Sequence, residues 1–355
     1  PTQVLENVVS VSLTAARGSG ADVPNMATAA VQDDGSLWIW GDMGLGGGSP
    51  MFDLRSGVPV KVMDDVAAVS LGTDFAAVVK TDGSLWTWGY NTLGQLGNGG
   101  QADYGTEWGW KEQTVPTKIL DDVAMVSAGE SAAAAVKTDK SLWMWGDNSY
   151  GQLGIGSTQS SAVPVKVMDD VAAVSVGGKS TAAIKTDGSL WMWGDNAHGQ
   201  LGNGRQGNQS VTEEYDEVDW DPYTEQNSPR YAEHPIQTVP TKILDDVLEV
   251  STGMVGTAAV KTDGSLWIWG LSSLVPEGDA TVQYVGVSDR AYLFESRVQT
   301  VPKMIDEGVS AVKMRYSNPI FARTDGSVWY TDYDGNLTQL MEGTSVLLPE
   351  SAGDQ

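Results

Sequence analysis

A Trp-x-Trp pair recurs along almost the whole sequence, and this repetition limits the possible folds more than any other feature. A weaker sixth copy has Tyr330 directly after Trp329. The five full pairs are Trp38/Trp40, Trp86/Trp88, Trp143/Trp145, Trp191/Trp193 and Trp267/Trp269. The text around them is nearly identical between residues 58–89 and 163–194. Six copies of one unit, rather than two unrelated domains, therefore account for the 355 residues.

Each unit has one half of fixed length and one half of variable length. In five copies the first Trp follows the Val of a Val-Pro pair by 28 positions, as from Val58 to Trp86. The distance from the second Trp to the next Val-Pro pair varies between 18 and 46 positions. We therefore predict a single domain over residues 1–355, with long insertions at 98–114, 203–238 and 270–300.

The fixed half has the pattern of short β-strands. Residues 66–70 form one predicted strand, residues 75–80 and 85–89 form a hairpin, and residues 58–62 form an edge strand that tolerates Pro. Asp82-Gly83 between the hairpin strands predicts a two-residue type I′ turn, in which both central residues have positive φ. Lys140 replaces this turn glycine in the third copy, and we expect it to adopt a left-handed conformation at a cost of about 1 kcal/mol.

Four short strands repeated six times, without helical periodicity, predict an all-β fold. The predicted architecture is a β-propeller of six four-stranded antiparallel blades, with seven blades, one of them degenerate, as the alternative. A blade of this size cannot bury both of its faces alone, so neighbouring blades must stack. Residues 2–5 match the fourth strand of other copies, and we predict that they complete the last blade.

An antiparallel meander separates the connections of a blade onto two faces. The turns around Asp64, Asp65 and Asp82 belong to one face, which we call the turn face, because they join the second to the third strand or the fourth to the next first strand. The other face, the loop face, carries the first-to-second and third-to-fourth connections. All of the long insertions are predicted to lie on the loop face.

Three segments of the sequence point to a known repeat. Residues 88–97, 145–154 and 193–202 read Trp-Gly-x-Asn-x-x-Gly-Gln-Leu-Gly and resemble the regulator-of-chromosome-condensation (RCC1-like) repeat family, especially its bacterial members. The sixth copy departs from this text at residues 332–335. The resemblance implies a β-propeller, usually of seven blades, and protein binding through loops rather than through the repeat text. It also leads us to expect a secreted or cell-surface bacterial protein.

The repeat text itself is interpreted as scaffold. Eleven of the 14 Trp residues lie in it and are expected to form the core between blades. The Gly-Gln-Leu-Gly segments are predicted to be turns that pack, because no helix follows them to complete a phosphate-binding site.

The insertions carry the candidate binding residues. A disordered linker is usually poor in aromatic residues, whereas aromatic loops on a rigid scaffold are typical of recognition surfaces. The alternative is that these rings pack the insertions onto the propeller. The predicted partner-binding residues are Tyr104, Trp108, Trp110, Tyr215, Asp219, Trp220, Asp221, Tyr223, Tyr231 and Tyr292.

Charge and residue usage exclude several functions. A formal net charge of -25 disfavours binding to nucleic acid, and no apolar run is long enough to span a membrane. The absence of Cys excludes disulfides, thiolate metal sites and a thiol nucleophile. His198 and His234 lack triad partners at motif spacing. The acidic run at 213–221 lacks the spacing of a calcium loop and is interpreted as solvated, so no metal or cofactor is predicted.

The sequence therefore predicts a monomeric, non-enzymatic protein that binds a protein partner on its loop face. One alternative is a surface lectin, in which Trp108, Trp110 and Trp220 stack on sugar rings. The other alternative is a hydrolase that uses loop carboxylates such as Asp219 and Asp221.

Overall fold

Antiparallel strands form nearly all the regular structure in the computed structural model of the chain. It describes residues 4–14, 27–41, 56–100, 112–205, 236–272, 274, 281–286, 293–315, 317–331 and 336–342. These residues form six sheets, each of which contains an antiparallel meander of four strands. In one sheet a fifth strand pairs with the last strand of the meander. The predicted six-bladed β-propeller is confirmed.

Blades one to three have four strands each. They are β1 (Val8–Leu13), β2 (Ala27–Gln32), β3 (Leu37–Gly41), β4 (Ser56–Met63), β5 (Val66–Leu71), β6 (Phe75–Lys80), β7 (Leu85–Tyr90), β8 (Glu112–Leu120), β9 (Val123–Ala128), β10 (Ala132–Lys137), β11 (Leu142–Gly146) and β12 (Ser161–Met168).

Blades four and six also have four strands, and blade five has five. Their strands are β13 (Val171–Val176), β14 (Ser180–Lys185), β15 (Leu190–Gly194), β16 (Gln237–Leu244), β17 (Val247–Thr252), β18 (Gly256–Lys261), β19 (Leu266–Ser272), β20 (Thr281–Gly286), β21 (Leu293–Asp306), β22 (Val309–Arg315), β23 (Asn318–Arg323), β24 (Val328–Thr331) and β25 (Leu337–Met341).

Part of the insertion predicted at 270–300 is a β-hairpin. The sheet of blade five has the order β17-β18-β19-β21-β20, so β20 adds a fifth strand. The register of this hairpin joins Thr281 to Val298 and Gly286 to Leu293. β-Branched and aromatic residues are frequent in both segments, as is usual for strands, and this signal was not recognised in the sequence.

The prediction that residues 2–5 complete the last blade is wrong. The fourth strand of blade six is β25, in which Gln339 pairs with Trp329 of β24. Residues 337–341 read Leu-Thr-Gln-Leu-Met and provide the fourth-strand pattern of apolar positions themselves. Val4 and Leu5 lie outside any strand.

The hairpin turns differ from the predicted type I′ form. In the β6–β7 turn Gly83 has a φ of 80°, whereas Asp82 does not have positive φ. The Gly83 N–H donates to Lys80 O (2.9 Å), and the Lys80 N–H donates to Ser84 O (2.9 Å). This is a three-residue loop that ends in a left-handed glycine. The Asp82 carboxylate holds it by accepting the Ser84 N–H at 2.9 Å and the Ser84 hydroxyl at 2.6 Å.

Lys140 adopts the predicted left-handed conformation, with a φ of 67°. Because glycine has no β carbon to strain this backbone, Lys140→Gly should stabilise the protein by about 1 kcal/mol and raise Tm by about 1–3 °C. Differential scanning calorimetry checks this result. The reciprocal change, Gly188→Lys in blade four, should lower Tm, and a Tm that falls in Lys140→Gly would contradict the strain at this position.

The core lies between blades and is rebuilt at each junction. Between blades one and two, Ala29 and Ile39 pack against Val69 and Leu71, with Trp88 in the same cluster. The second Trp of the pair is fully buried in blades two to five, which confirms its predicted core role. The first Trp is partly exposed, and its indole N–H donates to a nearby Ser hydroxyl, as from Trp86 to Ser84 (2.8 Å).

Candidate interaction surface

The Gly-Gln-Leu-Gly segments join consecutive blades at the loop face. In each case the second Trp of the next blade donates its indole N–H to the Gln carbonyl oxygen of the segment. The three bonds run from Trp145 to Gln95 (2.9 Å), from Trp193 to Gln152 (2.8 Å) and from Trp269 to Gln200 (2.9 Å). The predicted packing role of these segments is therefore confirmed.

A buried asparagine closes each of these segments. In blade three Asn148 accepts the Leu153 N–H at 2.9 Å, and its amide donates to the carbonyls of Ser157 and Gln159 at 2.9 Å. Asn91 and Asn196 make the equivalent bond to Leu96 and Leu201. The Asn of the Trp-Gly-x-Asn text is thus structural, a role for which the sequence pattern alone gave no signal.

Glycines of the first-to-second turns stack in a series around the propeller axis. A β carbon on Gly129 would lie 2.3 Å from Gly177 O, and one on Gly177 would lie 2.4 Å from Gly253 O. A β carbon on Gly72 would meet Gly129 O at 2.8 Å. Side chains cannot fit at these distances, so the series requires glycine and fixes the inner rim of the loop face.

One charged group on the inner rim is held in a defined position. Lys179 donates to the Tyr150 hydroxyl at 3.0 Å and lies 4.1 Å above the centre of the Tyr150 ring. Burial alone would lower the pKa of Lys179, but this hydrogen bond and the charges of Asp195 and Glu130 raise it above the usual value. Lys179 therefore stays protonated at neutral pH. No sequence pattern indicates this contact, because its two residues lie in different blades.

All ten predicted partner-binding residues lie outside the described residues. They are Tyr104, Trp108, Trp110, Tyr215, Asp219, Trp220, Asp221, Tyr223, Tyr231 and Tyr292. The structure does describe the strands that these insertions join, β7 to β8, β15 to β16 and β19 to β21, each a third-to-fourth connection. Because every blade has the same strand order, these strands turn at the same end of their blades. The role of the ten residues stays a prediction.

The turn face carries repeated carboxylates with the expected local geometry. In blade two the Ser84 hydroxyl and N–H hold the pKa of Asp82 below its usual value, and Asp139 and Asp187 are held in the same way by Ser141 and Ser189. Lysines pair with the neighbouring turns, as from Lys61 to Asp64 at 2.6 Å. The hydrogen bond to Asp64 raises the pKa of Lys61. Exposed pairs of this kind contribute little stability.

Within the described ranges, no group of three or more His, Asp or Glu side chains is arranged to hold a metal ion. The same part of the chain contains no helix that is long and apolar enough to cross a membrane.

The meander sheets and the segments that join them define a repeat propeller of the regulator-of-chromosome-condensation class. The chain belongs to the RCC1-like domain family, whose profile matches residues 21–298.

Two curated proteins share a part of the repeat region. The ultraviolet-B receptor UVR8 of Arabidopsis thaliana is 30% identical over 125 residues, which are 34% of this chain and 26% of that protein. The X-linked retinitis pigmentosa GTPase regulator of Mus musculus is 30% identical over 133 residues, which are 36% of this chain and 13% of that protein. The chain therefore matches about a quarter or less of the length of either relative.

Solved structures of similar shape cover most of the chain. Human WBSCR16 has a TM-score of 0.68 at 16% identity, over 95% of this chain and 83% of that one. Prp20p of Saccharomyces cerevisiae has a TM-score of 0.68 at 14% identity, over 94% and 77%. Yeast RCC1 (Prp20) bound to Kap60 has a TM-score of 0.64 at 15% identity, over 91% and 69%. At these identities the similarity establishes the fold alone.

Proposed function

We propose that the chain is a non-enzymatic scaffold that binds a protein partner through the insertions of its loop face. One observation carries the proposal: the distance from the second Trp of a pair to the next Val-Pro pair varies between 18 and 46 positions, while the strands on either side of the insertion keep one geometry. The repeat segments of fixed length serve to pack the blades together, as in the Trp193–Gln152 bond between blades three and four. Recognition is therefore assigned to the variable insertions, which hold Trp108, Trp110 and Trp220.

The relatives support a protein as the ligand. Yeast Prp20 has been solved bound to Kap60, and Prp20p has been described with its binding to Gsp1p and histones. For this chain, with 46 acidic and 21 basic residues, we propose a partner with a basic or neutral contact surface. The run at 213–221 is the densest acidic part of the insertions. Aromatic rings beside it supply large contact areas, and fixing such rigid side chains on binding costs little conformational entropy.

A capture experiment with two matched variants tests the proposal. The loop-face variant changes Tyr104, Trp108, Trp110 and Trp220 to Ala, and the control changes the exposed turn-face residues Asp64, Asp121, Asp169 and Asp245 to Asn. Partners captured from the native source by the intact protein are identified by mass spectrometry and measured by calorimetry. We expect the loop-face variant to lose at least about tenfold in affinity, and the control to keep it.

Two results would contradict this assignment. Equal binding of the partner by the intact protein and the loop-face variant would remove recognition from the insertions. Binding to a glycan array without any captured protein would favour the lectin alternative.

We also propose a secreted or cell-surface location, which is supported by the resemblance of the repeat text to bacterial members of the family. Fractionation of source cells with an antibody against the chain tests it. Recovery of the protein only in the cytosol would overturn this location.

A further inference from the structure

The fourth strand of a blade lies at the outer edge of the propeller. The first strands of blades one to six pack against one another in order, so they surround the axis, and the opposite end of each sheet faces outward. In blades one to four and in blade six the fourth strand ends its sheet on this side. Such an edge presents a row of backbone N–H and C=O groups that can pair with a strand of another chain.

Four of these outer strands carry two residues that oppose pairing with another chain. The strands β4, β8, β12 and β16 share the text Val-Pro-x-Lys. In blade two Pro116 has no N–H to donate, and Lys118, which pairs with Trp86 in the register, adds a charge to the edge. The same Lys position pairs with the first Trp in blades one, three and four. Proline and lysine on an edge strand are a common protection against association through strands.

The outer strand of blade six, β25, lacks both residues. Gln339 pairs with Trp329 and therefore occupies the lysine position, and Leu337, two residues earlier, occupies the proline position. Proline fits there in the other blades because the third strand does not need an N–H from it, so the N–H that Leu337 adds is directed to the outside of the sheet. Among the described strands, none pairs with this side of β25.

The strand β25 is also apolar, uncharged and accessible. All five of its residues are exposed, and Leu337, Leu340 and Met341 are 38%, 55% and 61% exposed. Residues 336–341 contain no charged side chain, although the chain has a formal net charge of -25. The absence of charge matters most for pairing between two identical strands, because a residue at the centre of such a pair lies opposite its own equivalent.

We propose that β25 pairs antiparallel with β25 of a second copy of this chain and joins two propellers into a dimer with two-fold symmetry. Pairing centred on Gln339 sets the two Gln339 amides opposite each other, and each amide can both donate and accept a hydrogen bond. The same register sets Leu337 opposite Met341, so apolar side chains meet. In blades one to four this arrangement would oppose two lysines, which is destabilising. The dimer departs from the monomer that the sequence predicts.

This dimer leaves the loop faces of both copies accessible. Like every fourth strand, β25 runs from the loop face towards the turn face. Antiparallel pairing therefore directs the two loop faces in opposite directions. The proposal does not depend on the proposed function, because β25 lies at the outer edge and contains none of the predicted partner-binding residues.

Sedimentation velocity of the full chain over about 1–200 µM tests the proposal, because a dimer is favoured by protomer concentration. We expect a shift from monomer to dimer, and amide exchange in β25 should slow by about tenfold as the dimer forms. The double variant Leu337→Pro with Gln339→Lys gives β25 the residues that β8 carries at the same positions. It should weaken dimerisation at least about tenfold and leave Tm within about 2 °C.

Two single variants support the comparison. Gln339→Lys changes one exposed side chain without introducing proline, and it should also weaken dimerisation at least about tenfold, because two like charges would lie opposite each other. Val60→Lys is the control. It adds the same charge to β4, the outer strand of blade one, at a position that is 40% exposed, and it should leave dimerisation unchanged.

Salt gives a further criterion. Both copies are strongly acidic, so added NaCl should strengthen a dimer held by the uncharged β25, because it screens their repulsion. A chain that stays monomeric at the highest concentration, a dimer that persists in both β25 variants, or association that weakens with salt would overturn the proposal. A monomeric chain that loses its captured partner in Gln339→Lys would also overturn it, because the edge of β25 would then bind a different protein.

Discussion

Trp193→Ala is expected to destabilise the protein by about 3–5 kcal/mol, the largest effect of any single change described for this chain. The Trp193 ring is fully buried in the core between blades three and four, against Val136 and Met144. Its removal leaves a cavity that the rigid sheets on either side cannot fill. The Gln152 carbonyl loses the indole donor but keeps the Thr181 hydroxyl at 2.8 Å, so lost packing accounts for most of the effect.

Trp191→Ala is the matched control, because the same residue type is removed from the same strand. The Trp191 ring is partly exposed, and its indole N–H bonds only the Ser189 hydroxyl within its own turn (2.9 Å). We expect a loss of about 1 kcal/mol, the usual size for a partly buried position. Urea unfolding followed by far-UV circular dichroism measures both variants. Equal losses would show that the second Trp does not anchor the junction between blades.

Gly177→Ala is expected to cost about 1–3 kcal/mol, although it adds only one methyl group. The new β carbon would lie 2.4 Å from Gly253 O and 3.1 Å from Thr252 Oγ1. The φ of Gly177 is outside the left-handed region, so the cost comes from crowding and not from backbone strain. Blades four and five must separate at the inner rim, which also weakens the bond from Gly178 N–H to Gly253 O.

Gly57→Ala is the control for this change. Gly57 also lies outside the left-handed region, and its added β carbon would have no neighbour within 4 Å. The Tm of Gly57→Ala should stay close to that of the parent, while Gly177→Ala should melt several degrees lower. Amide exchange in β17 should speed up only in Gly177→Ala. If both variants melt alike, the stacked turns do not hold the inner rim.

Much of the fold could be predicted because the same pattern of strands and turns occurs six times in the sequence. The spacing from Val58 to Trp86 contains three strands and their turns, and the antiparallel order follows from short connections. The backbone conformation at single positions was harder to predict from the sequence. Asp82-Gly83 is compatible with two hairpin types, and the Ser84 hydrogen bonds selected the three-residue form.

Long-range contacts explain the other differences from the sequence-based prediction. Residues 2–5 and residues 337–341 carry the same fourth-strand pattern, so the pattern could not show which of them pairs with β24. The Lys179–Tyr150 contact joins two blades through positions at which other copies have different residues. The ten predicted binding residues lie in insertions without repeat text, and no internal comparison within the chain constrains them.

The sequence by itself predicted the six repeats, most strands of each blade and the division between constant scaffold and variable insertions. It could do so because periodicity and turn chemistry act locally and are repeated. The tertiary structure decided how the blades meet, through the Trp–Gln hydrogen bonds between blades and the series of stacked glycines. The sequence of a repeat determines the strands and turns within its own blade. Which surfaces are buried depends on the neighbour that lies against them, and only the assembled fold shows that neighbour.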